Sequence, residues 1–209
     1  MQDRIVRHAG IDRLLHWIIA ACVLVLLATG FLPILGVEFA WVAIHWWAGF
    51  ALIALVVGHI ARSLIAKRLR RIWISLRDCR DALQIARVNL RFGSGAIPKP
   101  GKYSFAQKFI HLGFAVVVLA ACATGALMMV KIDTPWWDRN PFWLSDDTWG
   151  VVYLVHGFSA LLLITMVMAH VYFALRPEKA MFLRSMFLGW ITRGDFEQQH
   201  DPKRWQVNK

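Results

Sequence analysis

Residues 147–176 read DTWGVVYLVHGFSALLLITMVMAHVYFALR. Between Asp147 and Arg176 there is no Lys, Arg, Asp or Glu, and this run exceeds the roughly 20 residues that a helix needs to cross a bilayer. Backbone polar groups cannot stay unpaired in lipid, so a helix is the conformation expected for such a run. The stretch therefore predicts a membrane-spanning helix, and it carries two histidines, His156 and His170, 14 positions apart.

Three further uncharged runs precede this stretch, and each of them is also longer than a bilayer requires. They lie between Arg13 and Glu38, between Glu38 and Arg62, and between Lys108 and Lys131. The pattern predicts an all-α membrane protein, a bundle of four transmembrane helices. We predict these helices near residues 14–34, 39–63, 107–130 and 150–175. Because a chain of 209 residues has little left beyond four spans, we predict one integral membrane domain over residues 1–209.

The composition separates this chain from soluble and nucleic-acid-binding proteins. Its residues are 58% hydrophobic and only 18% charged, whereas a soluble domain is about a quarter charged. The net charge is +11, but a basic disordered or nucleic-acid-binding chain lacks long apolar runs. We therefore expect membrane lipid, and no nucleic acid, as a partner.

The distribution of charge predicts the orientation. The two short connections, residues 33–41 and 131–149, hold only two of the 24 basic residues but five of the 13 acidic ones. By the positive-inside rule, both termini and the middle segment, residues 67–104, are cytoplasmic in a multi-pass protein of the bacterial cytoplasmic membrane. Residues 70–91 of that segment read as one amphipathic helix that lies on anionic headgroups.

Histidines are unusually frequent in the predicted spans. Six of the eight lie within or at the edge of a span: His16, His45, His59, His111, His156 and His170. Ionisable residues inside a membrane are costly and usually functional, although a single one can serve helix packing. In the predicted orientation His45 and His156 lie near the outer side and the other four near the cytoplasmic side. The histidines thus form two layers.

Two of the predicted helices carry one histidine in each layer. His45 and His59 repeat the 14-residue spacing of His156 and His170, which is about 21 Å along a helix axis. Haem iron accepts one neutral imidazole on each face, so paired histidines on facing helices suit a stack of two b-type haems. Metal transport and a proton relay are the competing readings, but both call for carboxylates, and no acid lies in the predicted spans.

Four short segments carry a resemblance to a known family. They are Asp12-Arg-Leu-Leu-His-Trp17, Gly101-Lys-Tyr-Ser-Phe-Ala-Gln-Lys108, Val155-His-Gly157 and Ala169-His-Val-Tyr-Phe173. Over residues 4–205 the chain resembles the gamma, or cytochrome b, subunit of membrane-bound formate dehydrogenases. The resemblance implies that His45 and His156 hold the outer haem and that His16 and His170 hold the inner haem.

The same resemblance implies a quinone site beside the inner haem. Part of it would be the segment before the third span, where Ser104, Ala106 and Gln107 would line it. Ser104 and Ala106 stand where the family more usually has Asn and Gly, which changes the polar contacts expected with the quinone.

His59 and His111 are additional to the four ligands that the resemblance implies. We expect each to pack or hydrogen-bond near a haem propionate or the quinone. The alternative is that His59 replaces His16 as the partner of His170, which spacing alone does not decide.

The function implied by the resemblance is electron transfer. The chain would take electrons from an iron–sulfur subunit at the outer face and pass them through two haems to quinone near the cytoplasmic side. The formate-oxidising site would lie on a separate molybdenum or tungsten subunit, so no catalytic residue for formate is expected here. Alternatives are the cytochrome b subunit of a nickel–iron hydrogenase or another respiratory oxidoreductase, and a haem-free metal transporter or membrane anchor.

Overall fold

The computed structural model describes residues 4–66, 69–93 and 95–207. In chain order the elements are β1 (Arg4–Val6), α1 (Gly10–Phe31), α2 (Trp41–Ile65), α3 (Leu69–Ile72), α4 (Leu76–Asn89), α5 (Phe105–Met128), α6 (Asp146–Leu175), α7 (Ala180–Leu188), β2 (Trp190–Thr192) and α8 (Arg193–Gln199). Short 3-10 turns follow α5, at Met129–Lys131, and α6, at Pro177–Lys179. Helices α1, α2, α5 and α6 are each long and apolar enough to cross a membrane, which matches the four predicted spans.

The helix ends differ from the predicted ones for local reasons. Helix α1 ends at Phe31 because Pro33, two residues later, has no N–H to donate to a further turn. Helix α6 begins at Asp146, before the predicted residue 150, because the Ser145 hydroxyl accepts the N–H of Thr148 at 3.4 Å. An acidic residue in the first turn also complements the positive end of the helix dipole. Charge gaps therefore locate the apolar centre of a span better than its ends.

The middle segment is broken where one helix was predicted. Helix α3 ends at Ile72, and α4 starts again behind Ser75, whose hydroxyl accepts the N–H of Asp78 at 3.3 Å. The Asp78 carboxylate accepts the N–H of Ser75 in return, which completes a capping box. Lys108 donates to the same carboxylate at 2.8 Å, and this bond helps to keep the pKa of Asp78 below its usual value. The start of α4 is thereby tied to the start of α5.

The described chain divides into two compact units. The histidine unit comprises Leu14–Ala61 and Phe114–His170. Its buried core takes residues from each of the four long helices: Val23, Leu27, Leu52, Val118 and Leu163. In lipid, where burial brings no hydrophobic gain, van der Waals packing of such side chains holds the four helices side by side.

The tail unit contains both chain ends and the middle segment: Met1–Arg13, Arg62–Gly113 and Val171–Lys209. Strands β1 and β2 pair antiparallel, with Ile5 opposite a fully buried Ile191, and Phe196 completes a small apolar core. Between α7 and β2, Gly189 has a φ of +86°, a backbone conformation that side chains disfavour. These strands were not predicted, because three residues are too few to show an alternating pattern.

Candidate cofactor-binding site

The first histidine pair joins α2 to α6. The ring centroids of His45 and His156 are 6.3 Å apart, and the ring planes meet at 68°. Both side chains are half-buried within the histidine unit. The structure thus brings together the two histidines that the sequence analysis assigned to the outer layer.

Thr29 of α1 determines which nitrogen of His45 carries the proton. The Thr29 hydroxyl lies 2.8 Å from the backbone oxygen of Val25 and 2.8 Å from Nδ1 of His45. A carbonyl oxygen only accepts, and a hydroxyl has one proton, so both contacts are hydrogen bonds only if His45 donates from Nδ1. That tautomer leaves the Nε2 lone pair of His45 available to a metal.

Thr124 of α5 stands in the same relation to His156. Its hydroxyl donates to the backbone oxygen of Ala120 at 2.7 Å and accepts from Nδ1 of His156 at 3.0 Å. Thr124 and Thr29 are both buried, with 9% and 4% of their surface exposed. Each histidine of this pair is therefore held by a threonine from the neighbouring helix.

A glycine follows each threonine and gives the histidine ring its space. A Cβ on Gly125 would lie 3.2 Å from Cε1 of His156, and one on Gly30 would lie 3.8 Å from Cε1 of His45. The sequence signal for these residues is the tripeptide Ala-Thr-Gly, which occurs at residues 28–30 and again at 123–125. This repeat was not among the predicted site residues.

The second histidine pair joins α1 to α6. The ring centroids of His16 and His170 are also 6.3 Å apart, with the planes at 58°. Trp17 meets the His16 ring edge-on at 5.3 Å, and Phe114 meets the His170 ring at 5.7 Å. Across residues 4–66, 69–93 and 95–207, no protein group hydrogen-bonds to a ring nitrogen of this pair. His16 and His170 thus have aromatic neighbours where His45 and His156 have threonines.

Both pairs have the separation that an axial bis-histidine site requires. With metal–nitrogen bonds of about 2 Å and each centroid about 1.1 Å behind its nitrogen, two imidazoles on opposite faces of one iron lie about 6.2 Å apart. The observed 6.3 Å in both pairs agrees with that value. A Cβ on Gly49, one turn after His45 in α2, would meet no atom within 4 Å, so space remains on that face. The donor set and its spacing fit a porphyrin iron.

The two additional histidines lie in different units. His59 is on α2 in the histidine unit, and His111 is on α5 in the tail unit. In the described ranges, no group of three or more His, Cys, Asp or Glu side chains converges as metal ligands. The expectation that His59 and His111 pack or hydrogen-bond near a bound group stays a prediction.

Ser104 and Gln107 form a capping box at the start of α5. The Ser104 hydroxyl accepts the N–H of Gln107 at 3.3 Å, and Oε1 of Gln107 accepts the N–H of Ser104 at 3.0 Å. Ala106 between them is exposed and offers only a methyl group. The spacing Ser-x-x-Gln is a helix-start signature that the sequence analysis did not use. Neither the Ser104 hydroxyl proton nor the Gln107 amide NH2 takes part in this capping box.

The segment before α5 is held by a buried pair from the two ends of the chain. Arg7 and His200 are almost fully buried, and Nη1 of Arg7 donates to Nε2 of His200 at 2.9 Å. His200 donates from Nδ1 to the backbone oxygen of Gly101 at 2.7 Å, and Arg7 donates to that of Lys102 at 2.8 Å. The neutral form of His200 is thus built into the tail unit.

We expect the stability of the tail unit to fall as the pH is lowered from about 6.5 to about 4. Burial and the neighbouring Arg7 cation lower the pKa of His200 to about 4. The His200 imidazole therefore takes up its proton at a higher pH in the unfolded chain than in the folded one. Its contribution to the free energy of unfolding is complete above the unfolded pKa and is lost as the pH falls to the folded pKa. Its size is on the order of 3 kcal/mol. Thermal unfolding of the purified protein across that range measures the loss.

The matched variant for this prediction is His200→Gln. The glutamine amide can still donate to Gly101 and accept from Arg7, but it does not titrate in this range. Its melting temperature should therefore change less than that of the wild type over the same pH range. An equal acid sensitivity of both proteins would show that His200 is not the titrating group.

Comparison with known proteins gives one family and several relatives. The model of a family described as prokaryotic cytochrome b561 matches residues 7–189. The chain is 24% identical to the formate dehydrogenase cytochrome b556 subunit of Haemophilus influenzae, over 97% of this chain and 82% of that protein. It is 23% identical to the formate dehydrogenase cytochrome b556(fdo) subunit of Escherichia coli, over 98% of this chain and 92% of that protein. The resemblance found in the sequence is thereby confirmed.

Proposed function

This chain belongs to the prokaryotic cytochrome b561 family, and we propose that it is the diheme cytochrome b subunit of a membrane-bound formate dehydrogenase. Its four apolar helices and its family identify a bacterial membrane protein, and the family implies b-type haem. The observation that carries the proposal is the presence of two histidine pairs, each with a centroid separation of 6.3 Å.

In this proposal the outer haem is held by His45 and His156 and the inner haem by His16 and His170. Bound haem would supply reversible one-electron chemistry at its iron. The chain supplies neutral imidazoles whose orientation is set by packing, and it does so on rigid helices. The 14 residues between His156 and His170 correspond to about 21 Å along a helix, which is most of the apolar thickness of a bilayer.

The charge asymmetry of the chain predicts its orientation, and the proposed direction of electron flow is built on that orientation. Both termini are cytoplasmic by the positive-inside rule, so His45 and His156 face the outside. The chain would receive electrons there from an iron–sulfur subunit, whose own donor is a molybdenum or tungsten subunit that oxidises formate. Quinone would be reduced toward the cytoplasmic side, with Ser104 and Gln107 as hydrogen-bond donors. The names of the relatives support a formate dehydrogenase complex as the setting of this chain.

Counting the haem tests the cofactor part of the proposal. The full chain, purified from membranes of cells with ample haem supply, is expected to give two b-type haems per chain by pyridine hemochrome. Dithionite reduction should produce a low-spin spectrum, because both iron sites would have two imidazole ligands. A chain with no haem, or with one, would contradict the diheme assignment.

Deleting the gene in its native organism tests the partner. Membranes of the deletion strain should lose formate-dependent quinone reduction and keep hydrogen-dependent quinone reduction. The reverse pattern would assign the chain to a hydrogenase instead. Complementation with the wild-type gene controls for effects on neighbouring genes.

A further inference from the structure

The buried threonines Thr29 and Thr124 touch one histidine pair and not the other. We propose that they are positioning residues that lower the reduction potential of the haem held by His45 and His156 relative to the haem held by His16 and His170. This inference rests on the diheme part of the proposed function. It assigns a role to residues that lie outside the ligand set.

The geometry of each threonine commits its hydroxyl proton to its own helix. The Thr29 oxygen is 2.8 Å from the carbonyl of Val25 and 3.2 Å from that of Leu26, and Thr124 repeats this arrangement at 2.7 and 3.2 Å. With the proton held between two carbonyls, an oxygen lone pair faces the histidine of the next helix. Since both threonines are buried, the bond is protected from competition with bulk water.

A hydrogen bond donated from Nδ1 changes what the imidazole gives to a metal. Donation to an acceptor fixes the ring orientation and raises the basicity of the other nitrogen. A more basic axial ligand stabilises ferric iron over ferrous iron, because the ferric ion carries the larger positive charge. The reduction potential of the iron between His45 and His156 is therefore lowered.

The described residues give the second pair no equivalent bond. In the part of the chain that the structure describes, the rings of His16 and His170 meet Trp17 and Phe114, and neither ring donates to a protein acceptor. Imidazoles in such surroundings are weaker donors to iron, so the inner potential stays higher. The resulting difference favours electron flow from the outer site to the inner site, which is the direction that the proposed function requires.

Redox titration of valine variants tests this inference. Thr29→Val, Thr124→Val and the double variant keep the side-chain shape and remove the hydroxyl. We expect the lower of the two potentials to rise and the higher one to stay unchanged. In the double variant the equilibrium constant for electron transfer from the outer to the inner haem should fall about tenfold, or about 59 mV for a one-electron couple. Spectroelectrochemistry on the purified full chain measures both potentials.

Thr165→Val is the matched control. Thr165 donates to the backbone oxygen of Leu161 at 2.9 Å, but it is exposed on α6 and lies outside both histidine pairs. This variant should leave both potentials at wild-type values. Thr29→Ser and Thr124→Ser keep the hydroxyl and should have the wild-type potential. If a valine variant lost the outer haem while the serine variant kept it, the positioning role would be supported.

Three results would overturn the inference, and they differ in whether the diheme assignment fails as well. If the double valine variant kept two haems with both potentials unchanged, the threonines would have no tuning role and the diheme assignment would stand. If the wild-type chain lacked the haem at His45 and His156, this inference and the diheme assignment would fail together. A shift of the higher potential alone would also reject it.

Discussion

Replacing His16 by leucine is expected to leave one b-type haem per chain and to abolish the reduction of that haem by quinol. The variant removes one imidazole of the pair formed with His170, so a haem iron held there would have only one of its two histidine ligands. The pair of His45 and His156 shares no contact with His16 and stays intact. Haem is counted by pyridine hemochrome, and stopped-flow absorbance follows its reduction by a water-soluble quinol.

His59→Leu is the control that separates the two readings of the inner layer. This variant also replaces a histidine with leucine, and His59 lies on α2 at the same predicted membrane depth as His16. If His16 is the ligand, this variant should keep two haems and reduction by quinol. The opposite result, with one haem in His59→Leu and two in His16→Leu, would assign His59 as the partner of His170 and reject the ligand set proposed above.

The four helices could be predicted because the membrane imposes a simple rule on the sequence. Charge is excluded from spans of about 20 residues, and this exclusion is visible without knowing any contact. The rule says nothing about helix ends, which hydrogen bonds of single residues such as Ser104 and Ser145 determine. It also fails for the tail unit, where Arg7 bonds to His200, 193 positions away.

The candidate site was predictable only as far as its histidines. Their number and depth point to paired ligands, and the resemblance implied which rings face each other. Thr29 and Thr124 could not be found in the same way, because a threonine inside an apolar helix usually bonds to its own backbone. Their second bond, to a histidine of the next helix, depends on which helices are neighbours. The repeated Ala-Thr-Gly tripeptide therefore indicates a histidine contact only when the neighbouring helices are known.

Replacing His45 by leucine is expected to remove the other haem, the one held by His45 and His156, and to leave the haem held by His16 and His170. One haem per chain should remain, because the pair of His16 and His170 lies on α1 and α6, not on α2, and has its own contacts with Trp17 and Phe114. That haem should still be reduced by quinol, since the proposed quinone site lies toward the same side of the membrane. The variant should lose formate-dependent quinone reduction in the assembled complex.

Formate-dependent quinone reduction should be lost in His45→Leu because the remaining haem would lie too far from the outer face. Without the site at His45 and His156, electrons from the outer face would have to cross about 21 Å of apolar protein in one step. His111→Leu is the control, since it removes another membrane histidine that the proposal leaves outside the ligand set, and it should keep two haems. Both variants are scored by haem content, by reduction with quinol and by formate-dependent reduction of quinone in membranes. If His45→Leu kept formate-dependent activity at the wild-type rate, electrons would enter the chain elsewhere, and the inward path from His45 and His156 to His16 and His170 would be wrong.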